Sequence, residues 1–365
     1  MNSPTIDSLA SNAKPSKTLT RRLGIEAPIV LAPFGGLSSV ELTARVSELG
    51  GLGSYGLYGY DADRILHTAD ELRAATSRPF SFNLWLPTGT ERDPDPAEYA
   101  RAAEAVRPLF AEVGLEVPDA PARYLPPFEE QLQAALDARP AALSFVFGVP
   151  GRDILEAAHE RGIAVIGSAT TVDEAVALEQ GGVDAIVATG AEAAGHKVAF
   201  LEPAERSLVG LVALVPQVRD AVDVPVIAAG GIADRRGVRA AFALGANGVQ
   251  VGTAFLHTRE SAANNAHRAA IEATPAHASV LTRAMSGRLS RGASNLAVRT
   301  IEQADAIAPF PAQNWLTGRF RAAAGAQGKG ELQSLWLGQA SPLATLDSAD
   351  AVFTELAAGL PVTAD

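Results

Sequence analysis

The sequence predicts an α/β protein whose core is a (β/α)8 TIM barrel. Eight short apolar or β-branched runs, each bounded by Gly or Pro, alternate with Ala-rich segments of helical period. The runs are apolar almost throughout, as in parallel strands that are buried on both faces. Strand–helix alternation that repeats eight times is typical of a closed barrel, and an open doubly wound sheet is the alternative.

The limits of the apolar runs and of the helical patterns give the individual elements. The predicted strands are Pro28–Phe34, Leu52–Gly56, Phe80–Leu86, Leu143–Gly148, Ala164–Thr170, Ala185–Gly190, Pro225–Gly231 and Gly248–Phe255. The predicted helices are Ser38–Leu49, Asp61–Thr76, Pro96–Val113, Gly151–Arg161, Val172–Gln180, Glu205–Ala221, Asp234–Leu244 and Arg259–Glu272.

Three segments do not fit the repeating unit. Residues 1–20 are predicted to be a flexible leader, ahead of a barrel that spans residues 21–275. Residues 87–142 are too long for one crossover and are predicted to be a helical insertion after the third strand. Residues 276–365 do not continue the strand–helix alternation, and Met285–Gln339 shows no strand period. This part is therefore predicted to be a C-terminal cap over the active site.

Composition excludes several kinds of protein. The net charge of −11 argues against nucleic acid or an anionic membrane as a partner, because both bind basic surfaces. The absence of cysteine excludes disulfides, thiolate metal sites and a cysteine nucleophile, and it fits a cytoplasmic protein. No apolar run reaches the roughly 18 residues of a membrane helix. The histidines show no ligand spacing, so no metal site is predicted.

The stretch Val183–Phe200 carries the first candidate for chemistry. An apolar run stops at Thr189, and a loop of small residues follows that holds one acid, Glu192, and one imidazole, His196. Small neighbours allow a flat ligand to approach the backbone, and His is the side chain best suited to proton transfer near neutral pH. A capped turn with an incidental His is the structural alternative.

Glycines follow the seventh and eighth predicted strands. Gly230 and Gly231 end the seventh, and Gly252 and Thr253 lie near the end of the eighth. In TIM barrels the loops after these two strands often bind a phosphate group through backbone N–H groups. The coincidence of glycines at both places therefore predicts a phosphate site.

Two formal matches to nucleotide motifs are set aside. Gly51–Gly56 fits G-x-G-x-x-G, but it follows a helical pattern and lies on a strand, whereas a dinucleotide fingerprint follows a strand and opens a helix. A tightly packed barrel strand explains these glycines better. Gly190–Lys197 lacks the Gly-Lys-Ser/Thr of a P-loop.

Nine motifs occur in order between Leu23 and Gln339. They are APIVLAPFGG, GGLGSYG, RPFSFNLWLP, GAEAAGH, VPVIAAGGIADRRGV, GANGVQVGTAFLHTRES, TRAMSGRLSRG, PFPAQN and LWLGQ. In these motifs the chain resembles the nitronate monooxygenase family, formerly called 2-nitropropane dioxygenases. The members are FMN-dependent barrels, and they also include flavin enoyl-acyl-carrier-protein reductases.

The resemblance implies roles for particular residues. His196 matches the catalytic His beside the flavin, and Ser286 matches a serine that faces the substrate. The residues implied to contact FMN are Ala32, Pro33, Phe34, Asn83, Thr189, Ala194, Gly195, Gly230, Gly231, Gly252 and Thr253.

Three departures from the family pattern concern substrate preference. Phe34 stands where the family usually has Met, and Thr189 where it commonly has Gln. Ala194 replaces the first Gly of the Gly-Gly-His triplet, and His196 is followed by Lys-Val rather than Arg-Gly. The flavin site is expected to survive these changes.

The resemblance implies an activity with one alternative. It implies FMN-dependent oxidation of an alkyl nitronate or related nitro compound by dioxygen, giving a carbonyl compound and nitrite. His196 acts there as a base toward a neutral nitroalkane or, when protonated, stabilises an anionic nitronate. The alternative is a reductase that passes hydride from NAD(P)H through FMN to an enoyl thioester or quinone. A phosphate-binding barrel without redox chemistry is a third reading, and the chain is expected to be a monomer or homodimer.

Overall fold

The computed structural model describes residues 17–361, and its centre is a barrel of eight parallel strands. The barrel strands are β1 (Ile29–Leu31), β2 (Gly53–Gly56), β3 (Phe80–Trp85), β4 (Ala142–Val146), β5 (Ala164–Ala169), β6 (Ala185–Thr189), β8 (Val226–Ala229) and β9 (Gly248–Val251). Their spatial order is β1-β9-β8-β6-β5-β4-β3-β2, and a parallel bridge between Val30 and Leu52 joins the first strand to the last. The predicted TIM barrel is confirmed.

Fourteen α-helices lie within the described residues. They are α1 (Lys17–Leu23), α2 (Val40–Glu48), α3 (Ala62–Ala75), α4 (Pro96–Glu112), α5 (Phe128–Asp137), α6 (Arg152–Glu160), α7 (Val172–Gly181), α8 (Leu211–Ala221), α9 (Arg235–Ala243), α10 (Thr253–Leu256), α11 (Asn265–Ala273), α12 (Leu296–Ala304), α13 (Ala312–Ala326) and α14 (Ala349–Ala357). None of them is both long and apolar enough to cross a membrane.

Helix α1 corrects part of the predicted leader. Residues 1–16 lie outside the described part of the chain, but residues 17–20 belong to α1. Leu19 and Leu23 are fully or almost fully buried and pack with inward residues of the barrel strands, such as Val187. The two leucines are four residues apart, so they lie on one face of the helix, and burying that face stabilises it.

The segment between β3 and β4 is only partly an insertion. Helix α5 packs against α3 and β3, so it occupies the place of a barrel helix. Helix α4 packs away from the barrel, against α12 and α13, where the rings of Phe110 and Phe320 meet edge to face at 5.5 Å. The sequence predicted the helix Pro96–Val113 within a helical insertion, but it could not show that α5, the second helix of this segment, faces the barrel.

The C-terminal part contains strands that the sequence did not predict. Strands β10 (Ser279–Thr282) and β11 (Ser290–Ala293) form an antiparallel sheet with β7 (Gly195–His196). The last helix, α14, packs between α9 and α2 and against β1, and so completes the ring of barrel helices. The division of the chain at residue 275 stays a prediction.

Three predicted ends of strands or helices differ most from the ends that the structure shows, and they are wrong. The eighth strand ends at Val251, and residues from Thr253 form the short helix α10. Helix α8 begins at Leu211, not at Glu205, because the backbone N–H of Leu211 is bonded to the Glu192 carboxylate. Helix α11 begins after Asn264, whose side chain accepts a hydrogen bond from the backbone N–H of His267 at 3.0 Å.

Candidate active site

A cavity of about 540 Å³ opens at the carboxyl ends of the barrel strands. Its floor comes from the strand ends and the loops after them, and its cover comes from α13 and from the chain around Trp336. The volume lies within the range that small-molecule and cofactor sites occupy. This end of a TIM barrel is where active sites are built.

The cavity brings most of the predicted site residues together. Those that line it are Ala32, Pro33, Phe34, Asn83, Thr189, Ala194, Gly195, His196, Gly230, Gly231, Gly252 and Thr253. Ser286 is absent from the lining. The structure thus shows which of the predicted residues border the cavity, and their catalytic and cofactor-binding roles stay predictions.

The floor of the cavity suits a flat, polar ligand such as a flavin. Gly195, Gly230 and Gly231 have φ values of +69°, +110° and +69°, a conformation that favours glycine and leaves the backbone uncovered by side chains. The side-chain nitrogen of Asn83, Nδ2, donates to Ser144 Oγ at 2.9 Å, which leaves the side-chain oxygen Oδ1 as an acceptor. Phosphate, ribityl and ring groups need just such a mixture of open backbone and fixed polar atoms.

Several polar lining residues were missed by sequence reasoning. Three of them, Ser144, Ser168 and Gln250, lie on β4, β5 and β9. A lone polar residue inside an otherwise apolar run was the signal that could have identified them, because such a side chain must face a polar cavity or find a partner.

His196 is held in place by strand pairing and by one side-chain hydrogen bond. It pairs with Ser290 of β11, and the next backbone N–H, that of Lys197, donates to the Leu289 carbonyl at 2.9 Å. Its Nε2 lies 2.8 Å from Ser286 Oγ, with the donor set by the imidazole tautomer. The ring is therefore fixed on one side and borders the cavity on another.

Ser286 does not face the substrate space, which corrects the expectation from the resemblance. Its side chain is 0% exposed, and its Oγ also contacts Arg288, accepting from the backbone N–H at 3.2 Å and donating to the carbonyl at 3.1 Å. Ser286 thus contacts the site through its hydrogen bond with His196, which holds the imidazole in one orientation.

The surroundings of His196 keep its ring neutral. Burial, followed by the nearby charges of Arg288, Arg321 and Lys197, lowers the pKa of His196 to about 3. The residue is half-buried because it borders the cavity, but the aromatic rings beside the imidazole solvate an imidazolium poorly. At neutral pH the side chain is an imidazole with one free proton-accepting nitrogen or one N–H donor toward the cavity.

Aromatic rings form the wall beside His196. Trp85 meets it edge-on at 4.8 Å between centroids, and Trp336 lies at 5.6 Å. Tyr58 packs on Trp85 at 4.4 Å, and Phe310 stacks on the same indole at 5.7 Å. This wall restricts water near the imidazole and gives a planar substrate an apolar face to lie on.

Glu192, the acid identified in the sequence, stabilises the loop that holds His196. Glu192 accepts hydrogen bonds from the backbone N–H of Leu211 at 2.9 and 3.1 Å. Lys197 is buried and donates through Nζ to the carbonyls of Ala193 at 2.5 Å and Ala191 at 3.2 Å. Lys197, one of the departures from the family pattern, therefore fixes the backbone that presents His196.

No group of three acidic or imidazole side chains within residues 17–361 is placed to hold a metal ion.

The neutral histidines make stability depend on pH. Burial lowers the pKa of His196 and also that of His267, whose Nε2 donates to the Trp336 carbonyl at 2.8 Å. In the unfolded chain both groups take up protons below about pH 6.5, so the unfolded state binds more protons there. The contribution of these two histidines to stability is therefore complete above about pH 6.5, and it falls as the pH drops toward their lower pKa values in the folded state.

We expect the midpoint temperature of thermal unfolding to decrease as the pH is lowered from about 7 to about 5. In His196→Asn this decrease should be smaller. Scanning calorimetry of both proteins across this interval is the measurement. Curves for the two proteins that run parallel would show that His196 is not held neutral by the fold.

Comparison with known proteins gives consistent matches over almost the whole chain. The family model described as nitronate monooxygenase matches residues 16–359. A probable nitronate monooxygenase of Staphylococcus aureus is 38% identical over 340 residues, which cover 93% of this chain and 95% of the relative. A probable nitronate monooxygenase of Staphylococcus haemolyticus is 37% identical, with 90% and 92% covered.

Solved structures agree with these matches. A nitroalkane oxidase from Streptomyces ansochromogenes superposes with a TM-score of 0.84 and 35% identity, covering 93% of this chain and 98% of that one. FabK from Thermotoga maritima superposes with a TM-score of 0.71 and 27% identity, covering 93% and 94%.

Proposed function

This chain belongs to the nitronate monooxygenase family, and we propose that it uses FMN and dioxygen to oxidise an alkyl nitronate or related nitro compound to a carbonyl compound and nitrite. As a member of this family it is a flavin-dependent oxidoreductase. The observation that carries the proposal is the neutral, oriented imidazole of His196 on the wall of a cavity whose floor suits a flavin.

The chain's own residues divide into a cofactor set and a substrate set. The backbone of Ala32–Gly35, the Asn83 amide and the loop at Ala194-Gly195 would hold the ring system, and the glycines after β8 and β9 would hold the phosphate. When bound, the flavin supplies the electron transfer between the nitro compound and dioxygen. The aromatic wall and His196 remain for the substrate.

The low pKa of His196 favours one of the two roles expected for it. A neutral imidazole can accept the proton on the carbon beside a nitro group, or donate its N–H to an oxygen of a nitronate. With a pKa of about 3, the imidazole of the substrate-free site carries no positive charge near neutral pH. We therefore assign His196 the roles of base and hydrogen-bond partner, without the imidazolium role.

An anaerobic visible spectrum tests the proposed reaction. Propyl nitronate added to the flavin-loaded protein should bleach the flavin absorbance, and admitting air should restore the colour and release nitrite. A spectrum that propyl nitronate leaves unchanged, but that NAD(P)H bleaches, would replace the proposal with the reductase alternative. Chromatography of the extracted cofactor would show whether it is FMN.

A further inference from the structure

Four cationic side chains lie around the His196 loop and the cavity, and three of them have acidic partners. Arg288 forms an ion pair with Glu91. Lys197 and Arg291 both lie within the electrostatic influence of the Glu192 carboxylate. Each of these three cations has a carboxylate whose charge raises its pKa, and Arg288 also forms an ion pair with its carboxylate.

Arg321, the fourth cation, has no such partner. No carboxylate among residues 17–361 acts to raise the pKa of its guanidinium, and the ionisable group that does so is the phenol of Tyr58. Burial lowers the pKa of Arg321 to about 10, so the side chain is still charged at neutral pH. An uncompensated charge below the protein surface is costly unless an anion joins it.

The guanidinium of Arg321 is held in one orientation. On α13, which covers the cavity, it donates through Nη2 to the Asn314 carbonyl at 3.0 Å and to Asn314 Oδ1 at 2.6 Å, and through Nη1 to Ser334 Oγ. Three of its five N–H donors are used, which leaves two, and Nε–H is buried without a partner. All three residues line the cavity.

Asn314 links Arg321 to the aromatic wall beside His196. Asn314 donates to the Tyr58 hydroxyl at 2.8 Å, and Tyr58 packs on Trp85, which contacts His196. The charge of Arg321 is among those that act on His196. A small planar substrate beside His196 would therefore feel this charge.

We propose that Arg321 binds the oxyanion of the substrate, and that it makes the site prefer an anionic nitronate over the neutral nitroalkane. This inference rests on the proposed function. Arg321 supplies the positive charge that a neutral His196 lacks. The two residues then have different roles, because Arg321 balances the charge of the substrate and His196 accepts a proton or makes a hydrogen bond. One Nη1–H of the guanidinium stays free to donate to an oxygen of a nitronate, and the hydrogen bonds to Asn314 and Ser334 hold the positive charge in place.

The test compares Arg321→Gln, Arg321→Lys and Arg319→Gln in the flavin-loaded protein. Arg319 lies on the same helix but is exposed, so Arg319→Gln removes the same charge without touching the cavity. Nitrate, a planar oxyanion that does not react, is the binding probe, and calorimetric titration gives its Kd. We expect Arg321→Gln to raise that Kd at least about tenfold, Arg321→Lys to raise it less, and Arg319→Gln to leave it unchanged.

Turnover gives the second reading. The ratio of kcat/KM for propyl nitronate to that for neutral nitropropane should fall at least about tenfold in Arg321→Gln, mainly through the KM for the nitronate. Wild-type nitrate affinity in Arg321→Gln would overturn the proposal, as would a loss confined to FMN or to NAD(P)H binding. If Arg321→Gln does not fold, Arg321→Lys decides through the same Kd. An ammonium cannot keep all the hydrogen bonds to Asn314 and Ser334 that fix the guanidinium, so the displaced charge should bind nitrate measurably more weakly. Failure of the wild type to oxidise propyl nitronate would refute the proposed reaction, while the nitrate titration still judges Arg321.

Discussion

Replacing His196 with Ala is expected to lower kcat by about 10²–10⁴-fold while the flavin stays bound. The imidazole lines the cavity, is fixed by a buried partner, Ser286, and is bordered by the aromatic wall. Loss of the ring removes the proton acceptor and hydrogen-bond donor, whereas the glycine-rich floor is left intact. Steady-state kinetics and the flavin absorbance per protein measure the two effects separately.

Two further variants sharpen the assignment of His196. Ser286→Ala should give a smaller loss of kcat, because it frees the ring without removing it. His67→Ala, at a histidine whose side chain is 73% exposed on α3, should change nothing. Unchanged turnover in His196→Ala would mean that the imidazole belongs to the structure of the loop and not to the reaction.

The barrel and the floor of the site could be predicted from sequence because local rules determine them. Eight apolar runs gave eight strands, since a strand buried on both faces must be apolar throughout. The small residues after the strands, such as Gly230 and Gly252, line the cavity because all parallel strands end on the same side of the barrel.

The cover of the site could not be predicted in this way. Arg321 and Asn314 belong to a helix whose packing against the cavity depends on contacts far along the chain, such as that with Tyr58. The position of Ser286 depends on the pairing of β7 with β11, two segments about ninety residues apart in sequence. A motif match identified Ser286 as a neighbour of the site, but only the strand register shows that its hydroxyl lies behind His196.

Packing explains the G-x-G-x-x-G match at Gly51–Gly56, which sequence analysis set aside as a nucleotide motif. A Cβ added at Gly53 would lie 2.0 Å from the Thr43 carbonyl oxygen and 2.6 Å from Ser47 Oγ, so α2 could not approach β2 as it does. Gly51 and Gly53 do not line the cavity, and of the three glycines only Gly56 does. The pattern thus reflects close contact between a helix and a strand.

Gly53→Ala should therefore lower the free energy of unfolding by about 3 kcal/mol or more, since the clash is with the backbone of a packed helix and cannot be relieved by turning a side chain. Gly148→Ala is the matched control, because its new Cβ would meet only the flexible end of Leu86 at 3.4 Å, outside the cavity lining. Chemical denaturation of both variants, with flavin content measured on the folded fraction, separates packing from binding. A stable Gly53→Ala protein that has lost its cofactor would return the motif to the nucleotide reading, whereas an unstable protein whose folded fraction keeps its flavin supports packing.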